Sequence, residues 1–212
     1  GMDLAELSAT LDQPDEAQRV HEDAGRLSAL FELIYNHPKP TIAAINGAAV
    51  AGGAGLVSVC DLAVADPHAL IGYPEVKRGL VAAMVMPHLL RMVGERAARD
   101  LLLTGRLVEA QEACRMGLIN EVVQPFQTPN EVAAGIPPKK NALERALEIA
   151  QELAESSPNA LTITKRLLAE CRSGASASSG LARESADARL HIEAKSGLKA
   201  FLEKKPVPWL QK

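Results

Sequence analysis

Lys39-Pro-Thr-Ile-Ala-Ala-Ile-Asn-Gly-Ala-Ala-Val-Ala-Gly-Gly-Ala-Gly-Leu-Val-Ser-Val-Cys-Asp61 decides how this chain folds. Thr41 to Ile45 is a short apolar, β-branched segment bounded by Pro40 and Asn46-Gly47, the pattern of a buried strand followed by a turn. Gly52 and Gly53 open an apolar helix that runs to about Cys60. The first amides of such a helix have no intrahelical acceptor and sit at the positive end of its dipole. Glycine there lets a ligand approach the backbone without meeting a Cβ. Gly-Gly-Ala-Gly also serves close packing of a helix on a sheet, so an anion-holding turn and a packing turn both stand at this point. No Gly-Lys-Ser or Gly-Lys-Thr follows, which excludes a Walker A loop, and the spacing Gly47, Gly52, Gly53, Gly55 does not fit a dinucleotide fingerprint.

Working outward, Glu16 to Asn36 places Val20, Ala24, Leu27, Leu30, Phe31 and Ile34 at helical spacing and stops at His37-Pro38. Beyond the glycine-rich run, Leu62 to Ala65 and Ala69 to Ile71 read as brief strands around Asp66-Pro67-His68. Helices are expected over Met86 to Val93, Glu95 to Thr104 and Glu109 to Met116, with Gly105 and Gly117 as stops, and Leu118 to Val123 reads as a further strand. Strands alternating with helices indicate an α/β class. Gln124 to Lys140 holds four prolines and little periodicity, as a linker does. Three helices follow: Asn141 to Glu155 with an Asn141/Glu144 capping box, Ser157-Pro158 to about Cys171, and Leu181 to Leu202 after a Gly/Ser-rich gap at Ser173 to Gly180. The last mixes apolar positions with Arg183, Glu184, Asp187, Arg189 and Glu193, as suits a helix packed between subunits or over a domain. The organisation expected is therefore a core over 1–123, a linker over 124–140 and a helical oligomerisation region over 141–212.

Composition excludes several classes. The chain has 212 residues, 47% hydrophobic, with a net charge of -3, enough for one sizeable domain. No apolar stretch is long enough to span a bilayer, no signal peptide opens the sequence, and a cytoplasmic location without a membrane partner is expected. Acidic balance with 3% aromatics argues against nucleic acid as a partner. Cys60, Cys114 and Cys171 lie far apart, which favours reduced thiols over disulfides or a metal site, and no two of the five histidines stand at ligand spacing.

Taken in order, Lys39-Pro-Thr-Ile-Ala-Ala-Ile-Asn-Gly, the Gly52-Gly53 turn, Cys60-Asp61, Gly72-Tyr-Pro-Glu75, Leu103-Thr-Gly-Arg-Leu-Val-Glu-Ala-Gln-Glu-Ala, Gly117-Leu-Ile-Asn-Glu-Val-Val and Gly197-Leu-Lys-Ala-Phe-Leu-Glu-Lys-Lys-Pro-Val-Pro-Trp209 resemble the crotonase, or enoyl-CoA hydratase/isomerase, family across essentially the whole chain. The resemblance implies a ββα spiral core with a C-terminal helical region, homotrimers or homohexamers, and acyl-CoA thioester substrates, with coenzyme A entering only as part of the substrate and no separate cofactor or metal. It also implies an oxyanion hole in which the Gly52 amide is one donor. Gly1-Met2-Asp3-Leu4 resembles the segment supplying the other, which assigns the second donor to Met2, with Asp3 and Gly53 beside the substrate. Loss of one such donor costs roughly 3 kcal/mol of transition-state stabilisation.

Glu75 is the proton-transfer residue that the resemblance implies. Apolar lining from Val76, Leu80 and Val81 would favour its neutral form and raise its pKa from about 4.3. Read without the resemblance, Glu75 is more readily a partner of Lys77 or Arg78 on a solvated loop. Phe201 and Lys204 fall where the family contacts coenzyme A near a subunit interface, although a lysine in a Lys-Lys tail is ordinarily solvated. Two departures matter. Hydratases of the family position one water with two glutamates, and the place of the first is taken by Gly55, so a single-glutamate double-bond shift is favoured, with hydration close behind. The family also has strands before the Gly-Ala-Asp-like segment, so an N-terminally truncated core is expected. A catalytically silent acyl-CoA-binding or assembly protein is the alternative function.

Overall fold

In the computed structural model, residues 15–124, 133, 140–173 and 178–210 are described. They form two compact units, the described residues of one lying within 15–35 and 41–146 and those of the other within 36–40 and 147–210.

The first unit begins with α1 (Glu16–Tyr35), an exposed helix whose buried residue is Phe31. Next come β1 (Ile42–Ile45), β2 (Ala48–Val50) and α2 (Gly52–Val59), then β3 (Leu62–Ala65), β4 (Leu70–Gly72) and a 3₁₀ turn at Pro74–Arg78. A second 3₁₀ turn (Ala83–Val85) leads into α3 (Met86–Thr104), followed by β5 (Leu107–Glu109), α4 (Ala110–Arg115) and β6 (Glu121–Val122). From β1 to β4, strands that are consecutive in the chain go to different sheets, and β5 then joins the sheet of β4. β1, β3 and β6 form one sheet, all parallel, in the order β1-β3-β6. β2, β4 and β5 form the other, with β2 and β4 parallel and β5 antiparallel to β4. The bend at Asn46-Gly47 passes the chain from the first sheet to the second, and residues 66–69 do so again one layer on. This is a strand-strand-helix unit repeated and stacked by parallel pairing, Ile42 beside Leu62 in one sheet and Ala48 beside Leu70 in the other.

Burial explains why such short strands hold. Val64, Ala65, Ile71, Leu89, Leu101, Ala110 and Ala113 are all fully buried, so both sheets are covered by α2, α3 and α4. Thr41 ties the layers at one end: its amide and hydroxyl donate to Asp61 Oδ2 at 2.7 and 2.9 Å. α3 is interrupted at Gly94 (φ 74°, ψ 169°), at the boundary expected between two helices.

Several elements differ from the sequence reading, among them the strand expected over Leu118 to Val123, which is confined to Glu121–Val122. β2 and β5, three residues each, had no separate expectation, because their strand state comes from pairing with β4 across the chain. Toward the C-terminus, α5 (Ala142–Ala154) and α6 (Pro158–Ser173) are followed by two helices instead of one, α7 (Ser178–Leu190) and α8 (Ile192–Leu202). The break is at His191, which is extended and caps α8 by accepting from the Glu193 amide at 3.3 Å. The Asn141/Glu144 box is present in both directions at 3.0 Å. Among the described residues, no helix is long and apolar enough to cross a membrane.

Candidate functional site

β2 and β4 end side by side, with Val50 opposite Gly72. Each then delivers a different kind of group. Beyond β2 the chain turns at Ala51 and starts α2 at Gly52; beyond β4 it runs through Tyr73 into the 3₁₀ turn that carries Glu75. The Ala51 amide donates to Gly72 O at 2.9 Å, which joins the two exits. Ligands of parallel sheets gather at the carboxyl ends of strands, and this pair of exits is such a place.

The turn at Ala51 is unusual. Its backbone lies at φ 53°, ψ -120°, a region that L-residues other than glycine rarely enter. The first turn of α2 then closes with the Gly55 amide donating to Ala51 O at 2.9 Å, so the Gly52 and Gly53 amides precede the helical ladder. Both glycines are half-buried, and a Cβ on either would meet nothing within 4 Å among the described residues. Gly55 is different: a Cβ there would lie 2.5 Å from Phe31 Cζ and 2.7 Å from Val85 Cγ1.

Glu75 is half-buried, and its Oε2 is buried without a hydrogen bond from any described residue. Burial raises its carboxyl above the ordinary value of 4.5, opposed by a hydrogen bond with its own backbone and by the charge of Arg78. Arg78 thus acts on Glu75 through its field, while its guanidinium donates to Pro74 O at 3.5 Å. The 3₁₀ turn is held from behind by Gly105, whose φ of 58° ends α3; a Cβ there would press within 3.1 Å of Val76 Cγ2 and 3.2 Å of Pro74 Cα. Val76, Leu80 and Val81 are exposed by 43, 38 and 68%, so in this chain they border the turn instead of enclosing it.

Tyr73 was not singled out from sequence, yet it anchors the site. It is fully buried, and its hydroxyl donates to Ala54 O at 3.3 Å. Burial pushes its phenol up to about 12, so it remains a neutral donor. Ser58 donates to Gly55 O at 2.9 Å. The structure thus brings Gly52, Gly53 and Glu75 to one pair of strand ends. Met2 and Asp3 lie outside the described residues, and Phe201 and Lys204 belong to the second unit, both exposed.

Comparison with known proteins places this chain among relatives. The sequence profile of the enoyl-CoA hydratase/isomerase family matches residues 1–212. A provisionally named enoyl-CoA hydratase of Thermus thermophilus is 45% identical over 209 residues, covering 97% of this chain and 76% of that protein. The 2,3-dehydroadipyl-CoA hydratase of Escherichia coli is 32% identical, covering 97% of this chain and 73% of that one. Among solved structures, a provisionally assigned enoyl-CoA hydratase/isomerase (crotonase) from Legionella pneumophila superposes with a TM-score of 0.79 at 32% identity, covering 99% of this chain and 76% of that chain.

Proposed function

Because this chain belongs to the enoyl-CoA hydratase/isomerase family and has its crotonase fold, we propose that it shifts a double bond in an acyl-CoA thioester, with Glu75 as its single acid-base group. The observation that carries this reading is the buried Oε2 of Glu75, without a hydrogen bond from any described residue, on the strand exit paired with the one that leads to Gly52. Ionised Glu75 takes a proton from the α-carbon of a 3-enoyl thioester. The electron pair moves into the thioester carbonyl, whose developing oxyanion is held by the Gly52 amide and by that of Met2. The carboxylic acid so formed returns its proton to the γ-carbon, which leaves the 2-enoyl product and restores the carboxylate. Donors aimed at an oxyanion are worth about 3 kcal/mol each. Coenzyme A is the handle of the substrate, and no separate cofactor takes part.

Hydration is the second reading, favoured by the name of the Escherichia coli relative. The apolar atoms around Gly55 support the double-bond shift, because a carboxylate side chain at that position would collide with Phe31 and Val85. A homotrimer or homohexamer is proposed as the working assembly, supported by apolar side chains of α8 left exposed in the single chain. Glu75→Gln, assayed with matched 3-enoyl and 2-enoyl thioesters, tests the proposal. Turnover of the 3-enoyl ester should be lost while binding of acetoacetyl-CoA, followed by calorimetry, persists; retained turnover removes Glu75 from the chemistry.

A further inference from the structure

Phe31 is the buried residue of α1, at 2% exposure, on the face where Leu27, Ile34 and Tyr35 also pack against the core. Its ring occupies the volume that a side chain on Gly55 would need: a Cβ at 55 would stand 2.5 Å from Cζ and 3.1 Å from Cε2, with Val85 Cγ1 at 2.7 Å. Gly55 follows Gly52 by three residues, so the two positions are neighbours on the first turn of α2. A Cβ on the first would meet nothing within 4 Å among the described residues, and one on the second would meet an aromatic ring.

We propose that Phe31 is a specificity-determining residue: its ring excludes water and any second acid-base group from the Gly55 side of the site, so that Glu75 returns its proton to carbon. The inference rests on the acid-base reading of Glu75. To add water across a 2-enoyl thioester, an enzyme must hold one molecule by polar groups while its hydroxyl joins the β-carbon and its proton joins the α-carbon. A held water needs two to four polar partners. Phe31 and Val85 offer none, and the hydroxyl of Ser58, one turn further along α2, is already committed to Gly55 O at 2.9 Å. Ser58 is itself fully buried, so it brings no solvent with it.

Two pairs of variants test this role. Its steric half is read by melting: Gly55→Ala should lower Tm by about 5 °C or more, and adding Phe31→Leu should recover part of that loss. Its chemical half is read by assay of crotonyl-CoA hydration: Phe31→Ala with Gly55→Glu should hydrate at least roughly tenfold faster than the unaltered protein, and Gly55→Glu alone should not. Gly55→Ala as stable as the parent, or a folded double variant with no gain in hydration, overturns the role of Phe31. So does an unaltered protein that already hydrates crotonyl-CoA as fast as the double variant. Failure of the Glu75 reading is seen separately, as a 3-enoyl shift that survives Glu75→Gln, and leaves the melting pair to report on Phe31.

Discussion

The hydroxyl of Tyr73 donates to the carbonyl of Ala54 at 3.3 Å, and this contact links the two halves of the candidate site. Tyr73 stands two residues before Glu75, and Ala54 two after Gly52. The bond therefore spans from the segment bearing the carboxylate to the helix that Gly52 opens. Tyr73→Phe keeps the ring and deletes this donor, leaving a buried carbonyl short of a partner. Stability should fall by about 1 kcal/mol, read from urea melts. Looser positioning should also lower kcat by about tenfold with KM little changed. A variant that loses stability and keeps kcat would make Tyr73 a packing residue only.

Glu75 gives the protein a stability that depends on pH in a definite direction. Burial raises its pKa in the fold, so its neutral form is favoured there, while the unfolded chain ionises at the ordinary value of 4.5. A group of this kind stabilises fully below its unfolded pKa, and the contribution is lost as pH rises through the folded value. Glu75→Gln removes the ionisation. Urea midpoints measured for both proteins from about pH 4 to about pH 8 should show the variant gaining on the parent as pH increases. Equal slopes would mean that Glu75 is as well solvated folded as unfolded.

Ala51 holds a backbone conformation suited to glycine, at φ 53° and ψ -120°, immediately before the Gly52 amide. Strain of that kind costs about 1 to 3 kcal/mol, and a new glycine costs about 0.5 to 1 kcal/mol in unfolded-state entropy. Ala51→Gly should therefore raise stability by about 1 kcal/mol in chemical denaturation. If it lowers stability, the turn is not strained.

Local signals were legible in the sequence and contacts made at long range were not. The Asn141/Glu144 box could be recognised because both partners lie within one turn, and it is present as expected. Gly94 likewise marked the break in α3, and Pro40 with Asn46-Gly47 bounded β1. β5 could not be recognised, since Leu107 to Glu109 become a strand only by lying antiparallel to Leu70 to Gly72. At the site, Glu75 and Gly52 were found by resemblance, while Tyr73, Ala51 and Phe31 were not. Their roles lie in a hydroxyl reaching across to another element, a dihedral angle that alanine does not advertise, and a ring from α1 filling the space above Gly55. None of these leaves a periodic trace, because each depends on where distant segments meet.

Assembly supplies a last check on the second unit. In α8, Leu198, Phe201 and Leu202 follow one another at spacings of three and one, which sets them on one face, and they are exposed by 62, 78 and 79%. Ile192 at the start of the helix is exposed by 71%. Leaving this face to water forgoes about 25 cal/mol for each Å² that a neighbour would cover. Phe201→Asp together with Leu202→Asp places charge on it without emptying a core. Light scattering should then report loss of the trimer or hexamer in favour of monomer, with the helical circular dichroism retained. An unchanged mass would show that this face is not where subunits meet, and a monomeric parent protein would remove the proposed assembly altogether.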